Sequence, residues 1–144
     1  MILKKLLIAT TLLFTLVLFG CGYFVSGTWE DDPKNWGRAF GGSVPDGVSV
    51  VHSKYTRYPH WTHEHEMYFM FKATEDQLSA FIARYGLQQY DDVAGASARD
   101  RMSPPAWFLV PDRVYEVWRG VGSLSDGRLF VEKGSGMAFF YHWQ

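Results

Sequence analysis

The chain has 144 residues, a formal net charge of −1 and 17% aromatic residues. That length fits a single domain with one core. The near-neutral charge, with no basic block after Lys5, argues against a nucleic-acid partner, which would demand a positive stripe. Cys21 is the only cysteine, so the chain forms no internal disulfide and its fold stands on its core alone.

Lys4 and Lys5 precede a mainly apolar run from Leu6 to Phe19, closed by Gly20 and Cys21. A charged start, an apolar middle and a small residue before the cut make a secretory signal. The run is short of the ~20 residues that span a bilayer. Extended through Val25 it reaches that length, so an uncleaved anchor is the competing interpretation. Leu18-Phe19-Gly20-Cys21 resembles the lipobox of bacterial lipoproteins. The resemblance implies a signal peptide at residues 1–20, acyl chains (palmitate among them) on Cys21, a lipidated tether at residues 21–31 and a globular domain at residues 32–144. It places the domain in the cell envelope, outside the cytoplasm and held to the membrane by its lipid. Gly22 after the cysteine implies the outer membrane, facing the periplasm, in a cell with two membranes. Acylation also blocks a thiol that would be a liability in an oxidising compartment.

After the tether, Asp32-Pro33 predicts a short helix to Ala39, with Asp32 as N-cap and Pro33 at the first helical position. Residues 48–58 and 63–73 read as two strands of an antiparallel hairpin, and the dense apolar run Tyr68-Phe69-Met70-Phe71 suggests burial on both faces. Thr74 and Gln77 form a capping box. The helix that follows carries Leu78, Phe81, Ile82 and Tyr85 on one stripe and stops at Gly86. Residues 87–106 read as a loop. Three strands close the chain: Arg113 to Arg119, Arg128 to Lys133 and Met137 to Trp143. The expected class is α+β, with an antiparallel sheet of about five strands in the order ββα–loop–βββ and one main helix packed on one face.

Four of the five histidines lie between His52 and His65. His63 and His65 share a strand face with Met67, while His60 and His52 are placed to approach them. His60, His63 and His65 are therefore candidate ligands for zinc or copper, although their spacing matches no standard zinc signature. No G-x-S-x-G elbow, phosphate-cradling glycine loop or free thiol suggests a catalytic centre. Aromatics crowd the C-terminal third. Trp107 and Phe108 follow Pro104-Pro105, beside a charged stretch that contains Arg99 and Arg101; Tyr141 and Trp143 alternate on the last strand. These six residues are the candidate partner surface. The tail around Pro104-Pro105-Ala106-Trp107-Phe108 and Ala138 to Trp143 resembles small bacterial proteins that lend no activity.

The expected function is non-enzymatic: a lipid-anchored envelope domain that binds a partner protein, as an inhibitor, an immunity protein or an accessory subunit. The alternative is a metal-binding envelope lipoprotein that uses His60, His63 and His65. Cys21→Ser should abolish incorporation of a clickable palmitate analogue in growing cells, read by in-gel fluorescence. Equal labelling of the variant would refute lipidation at this residue.

Overall fold

A computed structural model describes residues 4, 8, 10–15, 26–59, 64–90, 104–109, 113–122 and 125–144. Residues 10–15 are helical, and no helix among the described residues is long and apolar enough to cross a membrane. The main body is built in the order β1 (Gly27–Glu30), α1 (Asn35–Phe40), β2 (Ser49–Arg57), β3 (His65–Lys72), α2 (Glu75–Arg84), β4 (Gln88–Tyr90), β5 (Tyr115–Arg119), β6 (Arg128–Glu132) and β7 (Met137–Trp143).

One antiparallel sheet holds all seven strands in the order β1-β2-β3-β7-β6-β5-β4. The α+β class is as expected, but the sheet is larger than the five strands read from the sequence. The two additional strands are its edges. β1 lies inside the expected tether at residues 21–31, and β4 inside the expected loop at residues 87–106. Both are short, and each gains its ladder from a longer neighbour: Trp29 pairs with Tyr55 across β1–β2, and Gln89 with Trp118 across β4–β5. Their strand character comes from those partners and not from their own residues.

The chain winds simply. β2 and β3 form the expected hairpin, α2 carries the chain to the far edge at β4, and a meander through β5 and β6 returns β7 to the side of β3. The capping box is present at α2: the Thr74 hydroxyl accepts from Gln77 N, and the Gln77 side chain accepts from Thr74 N at 2.8 Å. Gly86 stops the helix with φ +59°, as a left-handed stop requires. The first helix starts later than predicted, at Asn35 instead of Pro33. Asp32 does not cap it directly. Its carboxylate accepts from Lys34 N at 2.9 Å and from Arg38 Nη1 at 2.8 Å, forming a turn that ends where the helix begins.

β3 and β7 are buried on both faces. On one face, Phe69, Phe71 and Phe140 meet Trp36 and Phe40 of α1 and Phe81 of α2. Trp36 stands edge-on to Phe69 and Phe71 at 5.8 and 5.9 Å, and Phe40 lies 5.3 Å from Phe140. A six-residue helix has little stability of its own, so α1 is held by these rings. It is also held by Asn35, which is fully buried and donates from Nδ2 to the Trp29 carbonyl and to Ser53 Oγ. That single amide ties α1 to β1 and β2.

On the opposite face, residues 104–109 cover the sheet. Pro105 O accepts from Phe108 N at 2.9 Å in a tight turn. The turn sets Phe108 edge-on to Tyr68, Phe130 and Phe139 at 5.0, 6.1 and 5.9 Å. Leu109 beside it holds a φ of +57°, strained for a branched side chain. The cover of the second face therefore comes from Phe108 and Leu109, just past the end of the expected loop at residues 87–106; residues 91–103 lie outside the described residues.

Trp36→Ala should lower stability by about 3–5 kcal/mol and Thr74→Ala by about 1 kcal/mol in urea unfolding. A larger loss for Thr74→Ala than for Trp36→Ala would contradict this packing.

Candidate functional site

The cover that the described residues give the second face is partial. Phe108 lies over Tyr68, Phe139 and Phe130, and among the described residues none is packed over the end of the sheet where β3 starts and β7 finishes. There Thr28, Thr56, Glu66 and Trp143 are aligned on neighbouring strands by register, and alternation points them to one face. The Thr28 and Thr56 hydroxyls are 3.2 Å apart. Glu66 is the centre of the group. The Tyr68 hydroxyl donates to its Oε1 at 2.7 Å, and the Tyr58 hydroxyl donates to its Oε2 at 3.2 Å. The Tyr141 ring lies 5.0 Å from Tyr68. Tyr58 is 39% exposed and Trp143 47%, so two aromatic faces flank a carboxylate held in place by two phenols.

The electrostatics keep those phenols protonated. Burial, then the hydrogen bond to Glu66, pushes Tyr68 far above the ordinary tyrosine range. Burial, with Glu66 next, pushes Tyr141 up to about 12. Burial likewise raises Tyr58, helped by the Glu66 charge. At neutral pH all three are donors rather than bases or nucleophiles, and Glu66 is an oriented acceptor.

The structure distributes the other candidate residues differently from the sequence expectation. Phe108 is buried and serves the core. Trp107 beside it is partly buried and stacks on His52 at 5.3 Å. Tyr141 and Trp143 share one sheet face, as their alternation predicts, and Trp143 is exposed. Arg99, Arg101, His60, His63 and Cys21 lie outside the described residues. His65 faces the helix-covered side, stacked on Tyr55 at 5.6 Å and tilted against His142 at 5.5 Å. His52 does not approach it. Paired with Met70, it belongs to the opposite face, where its Nδ1 lies 3.2 Å from the Asp31 carboxylate. Asp31 also accepts from Ser53 N at 2.8 Å, and that bond first, then His52, holds its carboxyl below the usual range. Among the described residues no three His, Cys, Asp or Glu side chains gather as a metal-binding group.

Glu66 does not stand out in the sequence as a candidate because alternating His and Glu at a strand start look like a solvated rim, and Tyr58 carries no signal of its own. The usable signal was Glu66-x-Tyr68, which puts carboxylate and phenol on one strand face. His142 was equally hidden, since its neighbour His65 is distant in sequence. Searches of protein-family models, of curated proteins and of solved structures return no match for this chain.

The raised tyrosines set an alkaline limit. Below pH 10 they are protonated in both folded and unfolded chains and stability is unaffected. Above pH 10 the unfolded chain ionises first, and stability falls by up to about 1.4 kcal/mol per pH unit per withheld phenol. Tyr141→Phe should therefore move the alkaline unfolding midpoint upward, measured by circular dichroism between pH 9 and about 12. An unchanged or lowered midpoint would contradict it.

Proposed function

We propose that this chain is a lipid-anchored domain of the bacterial cell envelope that binds a partner protein and does no chemistry of its own. The observation that carries the proposal is the open end of the second sheet face. Exposed Trp143, at the end of β7, and Tyr58, just past the end of β2, stand there beside an oriented carboxylate on β3. Tyr and Trp present large, stiff contact area at low entropic cost and dominate binding hot spots. The three phenols are held protonated, which suits hydrogen bonding better than catalysis.

The start of β1 and this surface lie at the same end of the sheet. Gly27 opens β1 opposite Arg57, which pairs with His65, next to Glu66 and Trp143. Cys21 lies six residues before Gly27, a distance the chain spans in at most about 21 Å. Lipidation at Cys21 would thus hold the Trp143 end close to the membrane. The favoured partner is a membrane protein, or one delivered to the membrane surface.

A photo-crosslinking amino acid at position 143 of the membrane-anchored chain should give one major protein adduct. The same group at Lys133, exposed beyond the far end of β6, should not. Trp143→Ala should weaken capture of that protein at least about fivefold. Equal adducts at both positions, or capture indifferent to Trp143→Ala, would refute the assignment.

A further inference from the structure

Arg119 and Arg128 are directly opposite each other on β5 and β6, and Arg128 is in turn opposite Tyr141 on β7. Like charges placed directly across a strand pair are destabilising. Neither guanidinium forms an ion pair with a described residue. Arg128 is held by neutral partners: its Nη1 donates to the Ser125 and Gly127 carbonyls at 2.9 and 2.8 Å. Arg119 is exposed and lies over the Tyr90 ring at 5.8 Å. The charged groups facing the pair are Asp126, exposed on the β5–β6 turn, and Glu66 beyond Tyr141. Burial, and then the neighbouring Arg119, lowers the pKa of Arg128. The two arginines thus share one sheet face on neighbouring strands, close enough for the charge of Arg119 to disfavour that of Arg128, with Asp126 acting in the opposite direction.

We propose that Arg119, Arg128 and the Tyr141 hydroxyl form a binding site for a phosphate group, built on the sheet face beside the Trp143 end. Two arginines paired across neighbouring strands on one face match the chemistry of a multiply charged oxyanion, which takes several charge-assisted hydrogen bonds at once. A single carboxylate is satisfied by one arginine fork. The carbonyls of Ser125 and Gly127 hold Arg128 in place before any ligand arrives, and Tyr141, protonated at neutral pH, supplies a further donor. The phosphate could belong to a lipid headgroup or to a free anion. The site stands on the arginine geometry and does not require the protein partner proposed above.

The test uses the full chain purified in a maltoside detergent, which carries no phosphate, at constant ionic strength. Inorganic phosphate should raise the melting temperature saturably. Arg119→Gln, at an exposed position, should raise the half-saturating concentration at least about tenfold, while Lys133→Gln should leave it unchanged. The same titration in phosphatidylglycerol nanodiscs identifies the source. A wild-type chain already stabilised there relative to Arg119→Gln, and indifferent to added phosphate, indicates a headgroup. An undiminished phosphate response indicates a soluble anion. No saturable response in maltoside, or one that Arg119→Gln leaves intact, overturns the proposal.

Discussion

Burial of β3 and β7 on both faces is the constraint on which the rest of the structure depends. Tyr68, Phe69, Phe139 and Phe140 are all essentially inaccessible to water, and successive side chains point to opposite sides of the sheet. Each side therefore needs its own cover. Phe40, Trp36 and Phe81 close one, and Phe108 closes the other. The lone cysteine precedes β1, so no disulfide supports either cover. Apolar burial, at about 25 cal/mol per Å², is what holds both.

The two covers differ in kind, and that difference creates the surface. The helical cover is anchored by the buried Asn35 amide as well as by rings. The second is a short turn wedged by one phenylalanine. Among the described residues it does not extend to the row of Thr56, Glu66 and Trp143, or to the arginine pair on β5 and β6. Those groups lie at one end of a sheet whose centre is buried. A carboxylate with both oxygens engaged by phenols and an arginine fixed by two carbonyls are both oriented in advance. Preorganisation of this kind lowers the entropic cost of binding.

Features encoded locally were legible in the sequence. The capping box at Thr74 and Gln77, the stop at Gly86 and the alternation from Met137 to Trp143 need only a few neighbouring residues to act. Features that depend on distant partners were not. Gly27–Glu30 and Gln88–Tyr90 become strands because β2 and β5 offer them ladders. Asp32 carries the residue type of an N-cap, but Arg38 and Lys34 N draw its carboxylate into a turn instead. Of the candidate site, the shared face of Tyr141 and Trp143 followed from period-two alternation, whereas Phe108 went to the core because the turn at Pro105 sets its ring against Tyr68, Phe130 and Phe139. His52 and His65 lie close in sequence yet on opposite faces, since the hairpin register pairs His52 with Met70 and Arg57 with His65.

Residue-resolved hydrogen exchange under native conditions probes the two-sided core most directly. The amides of Tyr68, Phe69, Phe139 and Phe140 should be the slowest in the chain and should exchange only through global unfolding, with a free energy equal to that from urea denaturation. Those of β1 and β4 should exchange through smaller, local openings. Exchange of the β3 and β7 amides at the rate of the edge strands would contradict a fold organised around that pair.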